Sequence, residues 1–161
     1  MDPIDIVGQW FVTVNEQLGT SFELSASGSC AIEFQKSTTL FLQVLPEEEF
    51  VVLYSPLETL EARPDVLHLL GVLALNTFNR FTGFGGIGYD AERHSLIYSE
   101  RLDIGRSNAL EFASRLDQFP AHWSCLMDTL SELRSQRTCL SNVGHDEEAF
   151  PSPMDPRFLK I

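Results

Sequence analysis

Three glycines in "TGFGGIGYD", Gly83, Gly85 and Gly88, stand at the G-x-G-x-x-G spacing of a dinucleotide-binding turn, where backbone amides close around a pyrophosphate. That chemistry needs a strand before the glycines and a helix after them, because the phosphate rests on the helix N-terminus. Here a helical pattern precedes and a strand-like alternation follows, and no lysine stands beside the glycines as a P-loop requires. The stretch reads instead as a strand whose glycines allow close backbone approach, a bulge or a bend. A thiol nucleophile fares no better. His122 and Cys125 lie three residues apart on a predicted helix, yet no third group is evident to orient the imidazole, and the spacing reads as packing. The histidines His68, His94, His122 and His145 show no zinc-ligand spacing. Glu47, Glu48 and Glu49 read as a solvated turn. No carboxylate stands in an apolar run that would shift its pKa for acid–base work. The sequence offers no catalytic, cofactor-binding or metal site, and the chain reads as a non-enzyme.

Charge narrows the partners. Asp and Glu number 23 against 11 Lys and Arg, for a formal net charge of −12. Such a surface repels phosphate, which excludes nucleic acid and anionic lipid as partners. The opening "MDPIDIVGQW" carries acids where a signal peptide needs a basic n-region. The most apolar segment, Val66 to Leu75, contains His68 and is far too short for a bilayer. Cys30, Cys125 and Cys139 are odd in number and share no C-x-x-C spacing, as expected of free thiols in a reducing cytosol. A cytoplasmic protein is expected.

Periodicity supplies the elements. Ile4, Val7, Phe11, Val14 and Leu18, with Trp10 beside them, mark one face of a helix that stops at Gly19. "CAIEFQ", "TLFLQVL" and "EFVVLY" follow as a three-strand antiparallel meander with hairpin-length breaks. From Pro64 to Asn79 the helical period returns, with Pro64 in the first turn and apolar residues on more than one side. One side can face the sheet; the other calls for a second protomer or complete burial. "SLIYSERL" then puts Leu96, Tyr98 and Leu102 on one face of a strand. Asn108 and Glu111 have capping-box spacing, and a helical stripe runs to Arg137, with Pro120 expected to kink or restart it. The expected fold is α+β, an antiparallel twisted sheet of about five strands with three helices in the order α-β-β-β-α-β-β-α. Residues 1–140 form one domain, and residues 141–161 read as a Pro-rich, mobile tail with a sticky end at Phe158 and Leu159.

The stretch "LLGVLALNTFNRFTGFGGIGYDAERHSLIYSERLD", Leu69 to Asp103, resembles the class I type III secretion chaperones, the Tir-chaperone-like family. The resemblance rests on Leu70 and Asn76 at the end of the central helix, then Gly83, Gly86, Gly88 and Asp90, then Leu96, Tyr98 and Leu102. Tyr89, where a smaller aliphatic is usual, Pro120 and the longer Pro-rich tail depart from the pattern. The resemblance implies a small homodimeric chaperone in the cytoplasm of a Gram-negative bacterium. It would hold an N-terminal segment of a type III secretion effector in extended form, without ATP. With the two-sided apolar pattern, it also implies a dimer interface at Leu67, Leu70, Gly71, Val72, Ala74, Leu75 and Phe78. Effector-binding candidates are Trp10, Phe11 and Val14 on the first helix, and Ala31, Phe41 and Leu45 on the outward face of the meander. Two other readings compete. One is an anti-repressor of the same fold that sequesters a secretion regulator; the other is a nucleotide binder using the glycines.

Overall fold

In the computed structural model, residues 2–34, 38–61, 64–77 and 82–141 are described, with side chains through residue 135. Helix α1, Pro3–Leu18, begins where Asp2 accepts a hydrogen bond from the Ile4 N–H at 2.9 Å and ends at Gly19, whose φ of 64° is left-handed. Only a residue without a Cβ takes that conformation cheaply. Just before the stop, the Asn15 carboxamide donates to the Phe22 carbonyl (2.9 Å) and accepts from the Phe22 N–H (2.8 Å), which fixes the chain reversal.

Five strands follow the expected order: β1 Ser29–Phe34, β2 Thr38–Leu45, β3 Phe50–Thr59, and, after α2 Val66–Leu75, β4 Gly85–Asp90 and β5 Ser95–Asp103. They form one antiparallel sheet, but its spatial order is β1-β2-β3-β5-β4: β5 pairs with β3, and β4 lies at the edge. The register shifts between Pro56 and Glu58, where Leu57 is an extra residue in β3 and points into the core.

Helix α2 starts two residues later than Pro64 suggests. Asp65 is its N-cap, accepting from the Leu67 N–H at 2.9 Å, so Pro64 lies outside the helix rather than in its first turn. Helix α3, Ala109–Ser141, starts at Asn108, whose side chain accepts from the N–H groups of Leu110 and Glu111, both at 3.0 Å. Only half of the expected capping box forms, because the Glu111 carboxylate turns to Arg115 at 3.6 Å. Pro120 does not restart the helix; α3 runs through it without interruption.

Burial alternates along β2, β3 and β5, and the buried side meets the helices. Phe112 of α3 is fully buried against Trp10 and Phe11 of α1, at ring distances of 5.5 and 5.4 Å. Phe119 of α3 stacks on Tyr98 of β5 at 5.0 Å. Helix α2 packs beside α3, where Gly71 faces Leu133. All three helices therefore share one side of the sheet, and no described element covers the other side. No helix among the described residues is long and apolar enough to cross a membrane.

Candidate partner-binding surfaces

The glycine stretch is a joint. Gly83 has φ of 56° and lies against the ring of His122. At Gly85 a Cβ would sit 2.4 Å from the Ser99 carbonyl oxygen and 2.6 Å from a Tyr98 ring carbon, so the strand can close on β5 only with hydrogen there. Beneath it lies a buried polar knot. Glu100, 2% exposed, lies 2.6 Å from the Tyr98 hydroxyl, whose single proton is shared between that carboxylate and the Thr82 carbonyl at 2.9 Å. His122 Nδ1 is 3.2 Å from the same carboxylate, and Arg115 is 3.7 Å from its other oxygen while its guanidinium covers the Phe84 ring at 3.4 Å. Burial first, and then the bond to Glu100, push the Tyr98 phenol far above its usual pKa. These groups fasten Thr82–Gly85, and with it the exit of α2, to β5 and α3. His122 is thus engaged with Glu100, while Cys125 is exposed on α3. No cluster of three or more metal-binding side chains occurs among the described residues.

Helix α2 presents one bare apolar face. Val66, Leu67, Leu70 and Leu73 are 56–68% exposed, and Ala74 is exposed beside them. Among the expected interface residues, Leu67, Leu70 and Ala74 lie on this face. Val72 and Leu75 do not: at 2% and 7% exposure they belong to the chain's own core, because they are the side of α2 turned inward. Gly71 is half-buried opposite Leu133 of α3, where an added Cβ would make ordinary contact at 3.7 Å. Phe78 lies outside the described residues, as do Cys139, His145, Phe158 and Leu159. Val66 and Leu73 complete the face. An apolar groove of about 320 Å³ meets this face at Leu73 and lies between α2 and the β4–β5 hairpin, with Leu69, Ile87 and Tyr89 also in its walls.

The second surface is the open side of the sheet. Ala31 is exposed there and Phe41 and Leu45 are half-buried, together with Val52, Tyr54 and Ile97. Ala31 pairs with Phe41 and Phe41 with Tyr54, and the last two rings stack at 5.3 Å, so an apolar row crosses three strands. The first helix is different. Trp10, Phe11 and Val14 are 8%, 3% and 0% exposed, because the apolar face of α1 is consumed by α3 and the sheet. They shape the fold.

Comparison with known proteins fits this architecture. No curated protein matches the chain. A solved structure of the ExsC–ExsE complex contains a chain of similar fold, with a TM-score of 0.66 at 16% identity, covering 81% of this chain and 97% of that one. The HopA1–SchA chaperone–effector complex gives 0.57 at 16%, over 78% and 96%. The Yersinia pestis type III secretion chaperone SycH, in complex with a stable fragment of YscM2, gives 0.55 at 18%, over 73% and 96%. At such identities the likeness is one of fold. The sequence profile of the Tir chaperone protein (CesT) family, however, matches residues 14–126, a span from the middle of α1 through all five strands and α2 into α3. With the α-β-β-β-α-β-β-α order and the glycine joint in place, that match shows the family: the chain belongs to the Tir chaperone protein (CesT) family.

Proposed function

We propose that this protein is a dimeric export chaperone that holds an N-terminal segment of a type III secretion effector in extended form, without ATP, in the cytoplasm of a Gram-negative bacterium. The observation that carries the reading is the sheet, covered by helices on one side and by no described element on the other. Its apolar row, Ala31–Phe41–Tyr54, ends at an edge strand. An extended segment can bond its backbone to such an edge and lay side chains across the open face. Dimerisation would cover the other exposed apolar surface, with Leu67, Leu70, Leu73 and Ala74 of two α2 helices in contact across a two-fold axis. The net charge of −12 would keep the loaded complex soluble. Residues 1–140 would act as the domain, with 141–161 outside it.

The test is affinity capture from the native host with mass spectrometry of what is retained, followed by titration of the captured protein's N-terminal segment as a peptide. An effector whose N-terminal peptide binds the isolated chaperone supports the reading. Retention of a secretion regulator and no effector would instead make the chain an anti-repressor. Binding that needs added ATP would sink the ATP-independent mechanism.

A further inference from the structure

The two edges of the sheet are not alike. An edge strand offers alternate outward N–H and C=O groups as a template for another strand. In β4 both backbone groups of Ile87 turn away from β5. Its N–H donates to Asn76 Oδ1 at 2.8 Å, and its carbonyl accepts from Asn76 Nδ2 at 3.0 Å. Two parallel bonds between one residue and one planar amide reproduce what a residue of a neighbouring strand would make. Two residues upstream, the Gly85 N–H is taken by the Thr82 carbonyl at 2.9 Å. Asn76 is itself the C-cap of α2, so the closing amide is carried on the helix that packs beside the strand.

On β1 the pattern stops early. Ser29 exchanges bonds with Ser25, its carbonyl accepting from the Ser25 N–H at 2.8 Å and its N–H donating to Ser25 Oγ at 3.0 Å. Gly28 is the residue that bonds across to Val44 of β2, so Ser29, Ala31 and Glu33 turn their backbone groups outward. Beyond Ser29, no described strand lies along Ala31 and Glu33.

We infer that the Asn76 carboxamide is an edge guard: it occupies the central pairing site of β4 as a surrogate strand, so that among the described residues β4 keeps one outward residue, Tyr89, and β1, with Ala31 and Glu33, is the more open edge. The guard stands on the bonds to Ile87 alone; that a partner segment uses the β1 edge rests on the function proposed above. Asn76→Ala removes the guard at a helix-end position that tolerates alanine. In the full-length variant, diluted until it has the parent's mass, the Ile87 amide is expected to exchange with solvent about tenfold faster or more, as befits a lost hydrogen-bonded pair. Light scattering is expected to show association beyond the parent's mass, through exposed β4 edges. Adding Tyr89→Pro, which deletes the next outward donor of β4, is expected to restore the parent mass while Ile87 stays fast-exchanging. If the alanine variant does not fold, Asn76→Leu gives the same readouts, since it keeps the volume of the side chain and removes both the acceptor and the donor that hold Ile87. An unchanged Ile87 amide, a parent-like mass for the single variant, or association that persists with Tyr89→Pro would each overturn the inference. Ala31→Pro separates the two readings. It is expected to weaken binding of the captured effector peptide at least about tenfold, with the mass and the Ile87 amide unchanged. Undiminished peptide binding there would defeat the β1 reading and leave the guard standing.

Discussion

Leu70→Ala should split the dimer and leave the protomer folded. Leu70 is 56% exposed on the bare face of α2, so little of its own chain depends on it. Full burial of a leucine contributes about 1.5–3 kcal/mol, so covering the exposed half, less the retained Cβ, amounts to roughly 0.6–1.3 kcal/mol per copy. A two-fold interface loses that amount twice, roughly 1.3–2.5 kcal/mol, which is about a 10- to 70-fold rise in the dimer Kd. Sedimentation velocity over a dilution series reads the Kd. Thermal unfolding at low concentration reads the protomer, where the change should stay within about 0.5 kcal/mol, as for other surface sites. Val72→Ala is the contrast: 2% exposed and inside the chain, it should lower protomer stability by about 1 kcal/mol instead. A Leu70→Ala protein with the parent's Kd, or a parent that is monomeric throughout, would refute the assignment of this face.

Three further outcomes are expected. Gly85→Ala should lower stability by about 1–3 kcal/mol in a denaturant titration, because its Cβ meets the Ser99 carbonyl at 2.4 Å, whereas Gly88→Ala, whose Cβ finds only Ile97 at 3.7 Å, should cost less. Phe41→Ala should weaken effector-peptide binding by about 1–2 kcal/mol in calorimetry, with peptide still soluble and protein still folded, since the ring sits on the open face. The Tyr98 phenol has a folded pKa above its unfolded one. Its contribution is therefore complete below about pH 10 and is lost as the pH rises above that value toward the folded pKa. Stability measured against pH should fall on that alkaline side, and Tyr98→Phe should flatten the fall at the expense of about 1 kcal/mol near neutrality.

Much of this was legible because periodicity is enforced locally. The alternation of Leu40, Leu42 and Val44, or of Leu96, Tyr98 and Leu102, fixes a buried face without knowledge of what covers it. The same alternation places Glu100 on the inner face between Tyr98 and Leu102; a carboxylate at a core position of a strand was a readable sign of the buried knot. Its partners were not readable, since His122 is 22 residues away on another element. Which face of an amphipathic helix meets a partner is also undetermined by pattern alone. Trp10, Phe11 and Val14 satisfy the same rule whether they face a core or a ligand, and here α3 takes them. On α2, apolar residues on every side concealed which of them turned inward, so Val72 and Leu75 could be separated from Leu67 and Leu70 only in three dimensions. Asn76 at a helix end reads as an ordinary cap; its bonds to Ile87 depend on where the loop returns.

The strand order has a consequence for the chain while it is being made. β3 is complete at Thr59, but its neighbour on the far side is β5, which ends at Asp103, so the intervening α2 and β4 emerge first. At synthesis rates of about 5–20 residues per second, the roughly 44 residues between these points take about 2–9 s. For that interval the N-terminal meander would stand with the inner edge of β3 unpaired, and β4 would wait for the strand it joins. A chaperone of this architecture therefore passes through an aggregation-sensitive stage of its own at the ribosome, and synonymous changes that slow translation between Thr59 and Asp103 should lengthen it.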